Sequence, residues 1–199
     1  MPMTEPMDLR ERAELCDLFL ELGPDAPTLC EGWTTLDLAA HLVLREHFRR
    51  WTEARMATEK AKGLPALVDR LRRGAPLVPW RVPELRTLLN GSEYFIHHED
   101  VRRANGRGRR TDRPDLEPMA WRMTGFTGRR LARRIRPHGL ELLRPDGGAR
   151  RFGPAGGAVL RGEPTELLLY LSGRRDAAQV TLEGAAEPVA AVQGARTEL

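Results

Sequence analysis

Up to residue 136 the apolar residues of this chain recur at helical spacing, and beyond Pro137 they do not. That single change of period limits the fold more than any other feature. Leu9, Ala13, Cys16 and Leu20, flanked by Leu15, Phe19 and Leu22, give a first helix over residues 8–22, which Gly23-Pro24 stops. A loop over 24–33 follows. Thr34, with Asp37 three residues on, stands in capping-box position for a second helix to about residue 51. A short helix is predicted over 64–73, then a proline-rich loop from Gly74 to Pro83. A long helix over 84–104 is closed by Asn105-Gly106. A further helix, 115–136, has Leu116, Met119, Met123, Phe126 and Leu131 as a broken stripe, which Gly125 and Gly128 weaken.

After Pro137 short strands are predicted from Gly139 to Arg144, from Ala149 to Phe152 and from Ala158 to Arg161, with Pro145-Asp-Gly-Gly as a turn between the first two. A helix from Glu163 to Leu171, a strand from Gln179 to Leu182 and a helix from Glu187 to Val192 complete the pattern. The predicted fold is mainly α: a four-helix bundle over 8–136 followed by a small α+β region over 137–199.

Several function classes are disfavoured. No apolar run approaches the roughly 18 residues of a membrane span, and Met1 to Asp8 has no basic start or apolar stretch of a secretory signal. The cytoplasm is therefore the expected location, with no membrane partner. Cys16 and Cys30 sit in apolar contexts with no C-x-x-C spacing, and read as buried small hydrophobes. The net charge of +4 rests on arginine, since Lys60 and Lys62 are the only lysines, a bias typical of GC-rich coding. The arginine runs invite a nucleic-acid reading. Acidic residues interrupt them nearly everywhere except 102–110 and 129–136, and no recognition motif accompanies them. Nucleic-acid binding is disfavoured. There is no G-x-G-x-x-G after a strand, no P-loop and no G-x-S-x-G.

The chemistry-bearing stretch is Glu93-Tyr-Phe-Ile-His97-His98-Glu99-Asp100. Glu93 and His97, four apart, are neighbours on one helix face, and Asp100 lies one turn further along it. These three flank the apolar stripe of Leu85, Leu89, Ser92 and Ile96, so they point inward, where an unpartnered carboxylate is costly. A metal ion relieves that cost, and carboxylate–imidazole pairs at this spacing are how bundles build metal sites. The same spacing also suits a solvated polar face with a simple Glu–His hydrogen bond. His98 and Glu99 point the other way and read as surface or second-contact residues. The second helix offers His41 and His47. Periodicity slightly favours His47 as the inward one, and either can be a satisfied core histidine.

The stretches CEGWTTLDLAAHL and EYFIHHEDVRRA, together with the later GEPTELLLYLSGR, resemble the DinB-like, mycothiol-dependent maleylpyruvate isomerase superfamily of actinobacteria. The resemblance runs from about residue 8 to the end. It is nearest to a subgroup described only as metal-binding. It implies that Trp33 takes the place of the tryptophan before the capped helix, and it favours His41 over His47 as a ligand. The implied metal ligands are His41, Glu93 and His97. Asp100 matches the acidic residue beyond them, a candidate catalytic residue that could orient His97, carry a proton or pair with Arg103.

Two histidines and one carboxylate leave a coordination position open, which is a mark of reactive rather than structural sites. The set suits zinc, which the resemblance favours, and also Fe2+ or Ni2+. The function implied is a metal-dependent isomerase or S-transferase that uses a small-molecule thiol, mycothiol, on a small substrate. Arg45 and Arg103 are candidate donors to that thiol. The alternative is a metal-stabilised module that binds a small ligand without chemistry. Either a monomer or a homodimer is compatible with the sequence.

Overall fold

The computed structural model describes residues 5–47, 51–74 and 83–196, and for 83–89 the backbone alone. The predicted proline-rich loop and the end of the predicted second helix fall largely outside these residues, as do the side chains of Leu85 and Leu89. The described chain is mainly α, as the helical periods require. It divides into two compact units, Met1–Arg110 and Thr111–Leu199.

The first unit contains α1 (Met7–Leu22), α2 (Thr35–Glu46), α3 (Glu53–Lys60), α4 (Leu64–Arg73) and α5 (Pro83–Ala104). Its core joins Leu15, Cys16 and Phe19 of α1 to Leu38 and Leu42 of α2, Leu67 and Leu71 of α4, and Tyr94 and Val101 of α5. The capping box at Thr34 forms: the Thr34 N–H donates to Asp37 Oδ2 at 3.0 Å, and Thr34 Oγ1 accepts from the Asp37 N–H. Helix α3 was not expected. Its sequence, EARMATEK, buries only Met56 and Glu59, too little to show a stripe.

The register of α1, α2 and α5 is fixed by a buried polar knot. Tyr94 Oη and Arg12 Nη2 both donate to Glu46 Oε1 at 2.5 Å, and the Arg12 guanidinium lies over the Tyr94 ring. Burial first, and then the Glu46 charge, hold the Tyr94 hydroxyl well above its ordinary pKa, so it stays a donor. Glu46 follows Arg45, and Tyr94 follows Glu93, so this knot sets the height at which α2 and α5 present those neighbours.

The second unit contains α6 (Leu116–Arg134), β1 (Leu140–Leu143), β2 (Ala149–Phe152), β3 (Ala158–Arg161), α7 (Pro164–Leu171), β4 (Thr181–Glu183) and α8 (Ala186–Gly194). The sheet order is β2-β1-β3-β4, with β1 antiparallel to β2 and parallel to β3. Helix α6 was expected to close the N-terminal bundle at residue 136. The two compact units instead part at Arg110/Thr111, and α6 packs on α7. The glycines that weaken its stripe are where the hairpin lies against it. Gly128 lies against the Phe152 ring, where a Cβ would come within 2.6 Å of it, and Gly125 lies against the Arg150 guanidinium. These bare positions let the β1–β2 hairpin approach the helix. Glu117 of α6 caps α7, accepting from the Thr165 N–H and Oγ1 at 3.0 Å each.

Candidate metal centre

The centre lies in the first unit, where α2 and α5 carry their polar residues to one place. His41 of α2 and Glu93 and His97 of α5 offer donor atoms that all lie within 4.8 Å of one another. The His41 and His97 rings meet edge to face with centroids 5.4 Å apart, and the Trp33 ring lies tilted against His41 with centroids 5.2 Å apart. His97 Nε2 stands 3.7 Å from Glu93 Oε2. Two ligand atoms about 2.1 Å from a shared tetrahedral ion would be about 3.4 Å apart, so this separation fits a common ion.

His97 Nδ1 lies 2.9 Å from Asp100 Oδ2. Asp100 is fully buried and His97 nearly so. With Nδ1–H donated to that carboxylate, Nε2 is the nitrogen turned toward Glu93 and His41, and it offers a lone pair there once the ring gives up its second proton, the arrangement that metal-ligating histidines use. Burial pushes the His97 imidazole down. Its hydrogen bonds to Asp100 and Cys30, with the charges of Asp100 and Glu93, overcome that and lift it to about 9.

Cys30 reaches the same carboxylate, its thiol donating to Asp100 Oδ2 at 3.3 Å. The loop before α2 is pinned for this purpose. The Leu29 N–H donates to the Asp100 carbonyl at 3.1 Å, and Thr28 Oγ1 accepts from the Cys30 N–H and donates to the Trp33 carbonyl. Sequence spacing gave no sign of Cys30, because the contact crosses 70 residues. Cys16, by contrast, is the buried apolar thiol expected, and burial pushes it up to about 12.

Arg45 Nε stands 3.1 Å from Glu93 Oε2, and its Nη1 donates to Asn90 Oδ1 at 3.0 Å. It therefore offsets and orients the Glu93 carboxylate. Arg103 Nε donates to Glu99 Oε2 at 2.8 Å. His47 is turned back on its own helix, Nδ1 to the Val43 carbonyl at 2.9 Å.

His98 and Glu99, expected at the surface, are both buried. Helix α1 and the segment after Asn105 cover that face of α5. Arg110 Nη1 and Nη2 grip both oxygens of Glu11 at 2.8 and 2.9 Å, and its Nε donates to Glu99 Oε1 at 2.8 Å. His98 Nδ1 lies 3.2 Å from both Glu11 and Arg110. Glu11, Glu14 and His98 could also hold an ion, but Arg110 already supplies the counter-charge there.

No helix among the described residues is long and apolar enough to cross a membrane. No family model and no curated protein matches the sequence. The fold is similar to that of a solved mycothiol-dependent maleylpyruvate isomerase, with a TM-score of 0.61 and 18 % identity over 94 % of this chain and 96 % of that one. A histidine-to-alanine mutant of such an isomerase matches over the same shares with a TM-score of 0.60. The mainly α fold with a small C-terminal sheet expected from the sequence is thus the fold observed, and it is shared with that solved structure.

Proposed function

We propose that this chain is a metal-dependent enzyme that uses a small-molecule thiol, mycothiol or a close analogue, to isomerise or S-transfer a small substrate. The observation that carries this reading is the meeting of His41, Glu93 and His97 within 4.8 Å, with Asp100 behind His97. The fold it shares with the mycothiol-dependent isomerase supports the choice of thiol and of reaction class.

In this reading His41 and His97 hold the ion through imidazole nitrogens and Glu93 through a carboxylate oxygen, with zinc favoured over Fe2+ or Ni2+. When bound, such an ion stabilises a thiolate at neutral pH. Asp100 acts through His97, holding its tautomer and orientation, and is a positioning residue. Cys30 steadies Asp100. Arg45 holds Glu93 and, being about a quarter exposed, offers N–H edges to hydroxyls or an anionic group of the thiol. Arg103, buried on Glu99, is not part of this reading. Trp33 walls His41.

The test is metal analysis of the purified protein together with thiol-dependent turnover of a maleyl-type substrate before and after chelation. Stoichiometric metal and turnover that chelation abolishes support the reading. Metal without turnover would favour a metal-stabilised binding module, and no metal would overturn it.

A further inference from the structure

In the second unit, the β1–β2 hairpin turns two charged side chains toward α6 among its apolar ones. Leu140 pairs with Phe152 and Leu142 with Arg150, so Leu140, Leu142, Arg150 and Phe152 share one face. Arg144, two residues beyond Leu142, falls on that face as well. Both guanidiniums stand over one indole: Arg150 lies 4.5 Å and Arg144 5.2 Å from the Trp121 ring centroid.

Like charges on one face of a hairpin are destabilising. Arg144 is paired with Asp146 at the turn, whereas no carboxylate among the described residues pairs with Arg150. The Arg150 pKa is lowered, by burial first and then by the Arg144 charge. An inward charge on an edge strand such as β2 guards against edge pairing, but that purpose needs neither a second cation nor a shared aromatic floor. The surroundings are bare as well. Gly125 leaves room for the Arg150 guanidinium, and Gly148, which bonds to Arg144 across the turn, carries no side chain. A guanidinium stacked face-on to an indole presents its N–H groups at the rim, and those not already used, at Arg150 and beyond the Arg144 Nη2 that donates to Asp146, suit planar recognition of an oxyanion.

We propose that Trp121, Arg144 and Arg150 form a receptor for the oxyanion group, carboxylate or phosphate, of a small molecule. It uses none of the residues of the metal centre. The bound anion offsets the charge that the two arginines concentrate.

Nitrogen-15 NMR of the full chain tests this. The Trp121 indole N–H, assigned with Trp121→Phe, is followed during titration with sodium phosphate, sodium succinate or sodium chloride at constant ionic strength. Saturable shifts with phosphate or succinate are expected, and whichever binds more tightly identifies the oxyanion. Arg150→Gln should weaken binding roughly tenfold or more, and Arg150→Lys, which keeps charge but lacks the fork, should weaken it less. Arg151→Gln, on the opposite face beside Glu141, should leave it unchanged. Shifts that do not saturate, that chloride reproduces, or that survive Arg150→Gln would overturn the proposal.

Discussion

His97 Nδ1 is 2.9 Å from Asp100 Oδ2, and this one bond decides which nitrogen of the ring faces Glu93 and His41. Without it the imidazole could take either tautomer and turn. Asp100→Ala is therefore expected to lower metal affinity by about 10- to 100-fold, measured by competition with a chromophoric chelator. Cys30 shares the same oxygen at 3.3 Å, so Cys30→Ala should weaken metal binding by a smaller factor. Cys30→Ser, which keeps a donor, should restore it. Unchanged affinity in Asp100→Ala would remove Asp100 from the site.

The two histidines of the second helix separate cleanly. His41 meets His97 edge to face, whereas His47 is held by the Val43 carbonyl. His41→Ala should yield protein without metal, and His47→Ala should retain it, as read by elemental analysis after dialysis. The reverse result would show that the apolar period of the helix, which slightly favours His47, was the better guide.

The cluster of Glu11, His98, Glu99 and Arg110 is a matter of stability. Breaking a buried ion pair from one side costs about 3–5 kcal/mol, so Arg110→Met should lower the denaturation midpoint by a corresponding amount. Burial raises the Glu11 carboxyl, but hydrogen bonds from His98 and Arg110 and the Arg110 charge hold it at about 2, against an ordinary 4.5. Its contribution to stability is complete above pH 4.5 and is lost as pH falls from 4.5 through about 2. Denaturant melts of wild type and Glu11→Gln should therefore differ most above pH 4.5 and converge towards pH 2. A gap independent of pH would contradict this.

The second unit gives a steric test. A Cβ at Gly128 would come within 2.6 Å of the Phe152 ring, so Gly128→Val should destabilise by about 1–3 kcal/mol through overpacking. Gly106→Ala is an unsuitable control, because that residue has φ 73°. Gly194→Ala, in open space, should be neutral in the same thermal melt.

Much of this was legible in the sequence, for a physical reason. Helix α1, the capping box at Thr34, the hairpin turn at Pro145 and the helix after Glu163 all rest on local pattern, and local pattern suffices for them. The spacing of Glu93, His97 and Asp100 likewise fixes their common face. Contacts made across the chain were not legible. Nothing local to His98 and Glu99 shows that Arg110 and Glu11 close over them, so a solvated face was expected. Nothing local to Cys30 places it at Asp100, 70 residues away. Gly125 and Gly128 read in the sequence only as weaknesses of a helix, because the Arg150 and Phe152 that lie against them come from outside it. These glycines are the surface on which the hairpin lies.

The most direct measurement is calorimetric titration of mycothiol into metal-loaded and metal-stripped protein at neutral pH, in buffers of different ionisation enthalpy. Binding to the loaded protein alone is expected, with release of about one proton as the thiol ionises. Equal affinity with and without metal, or binding with no proton release, would contradict a metal-dependent thiol enzyme.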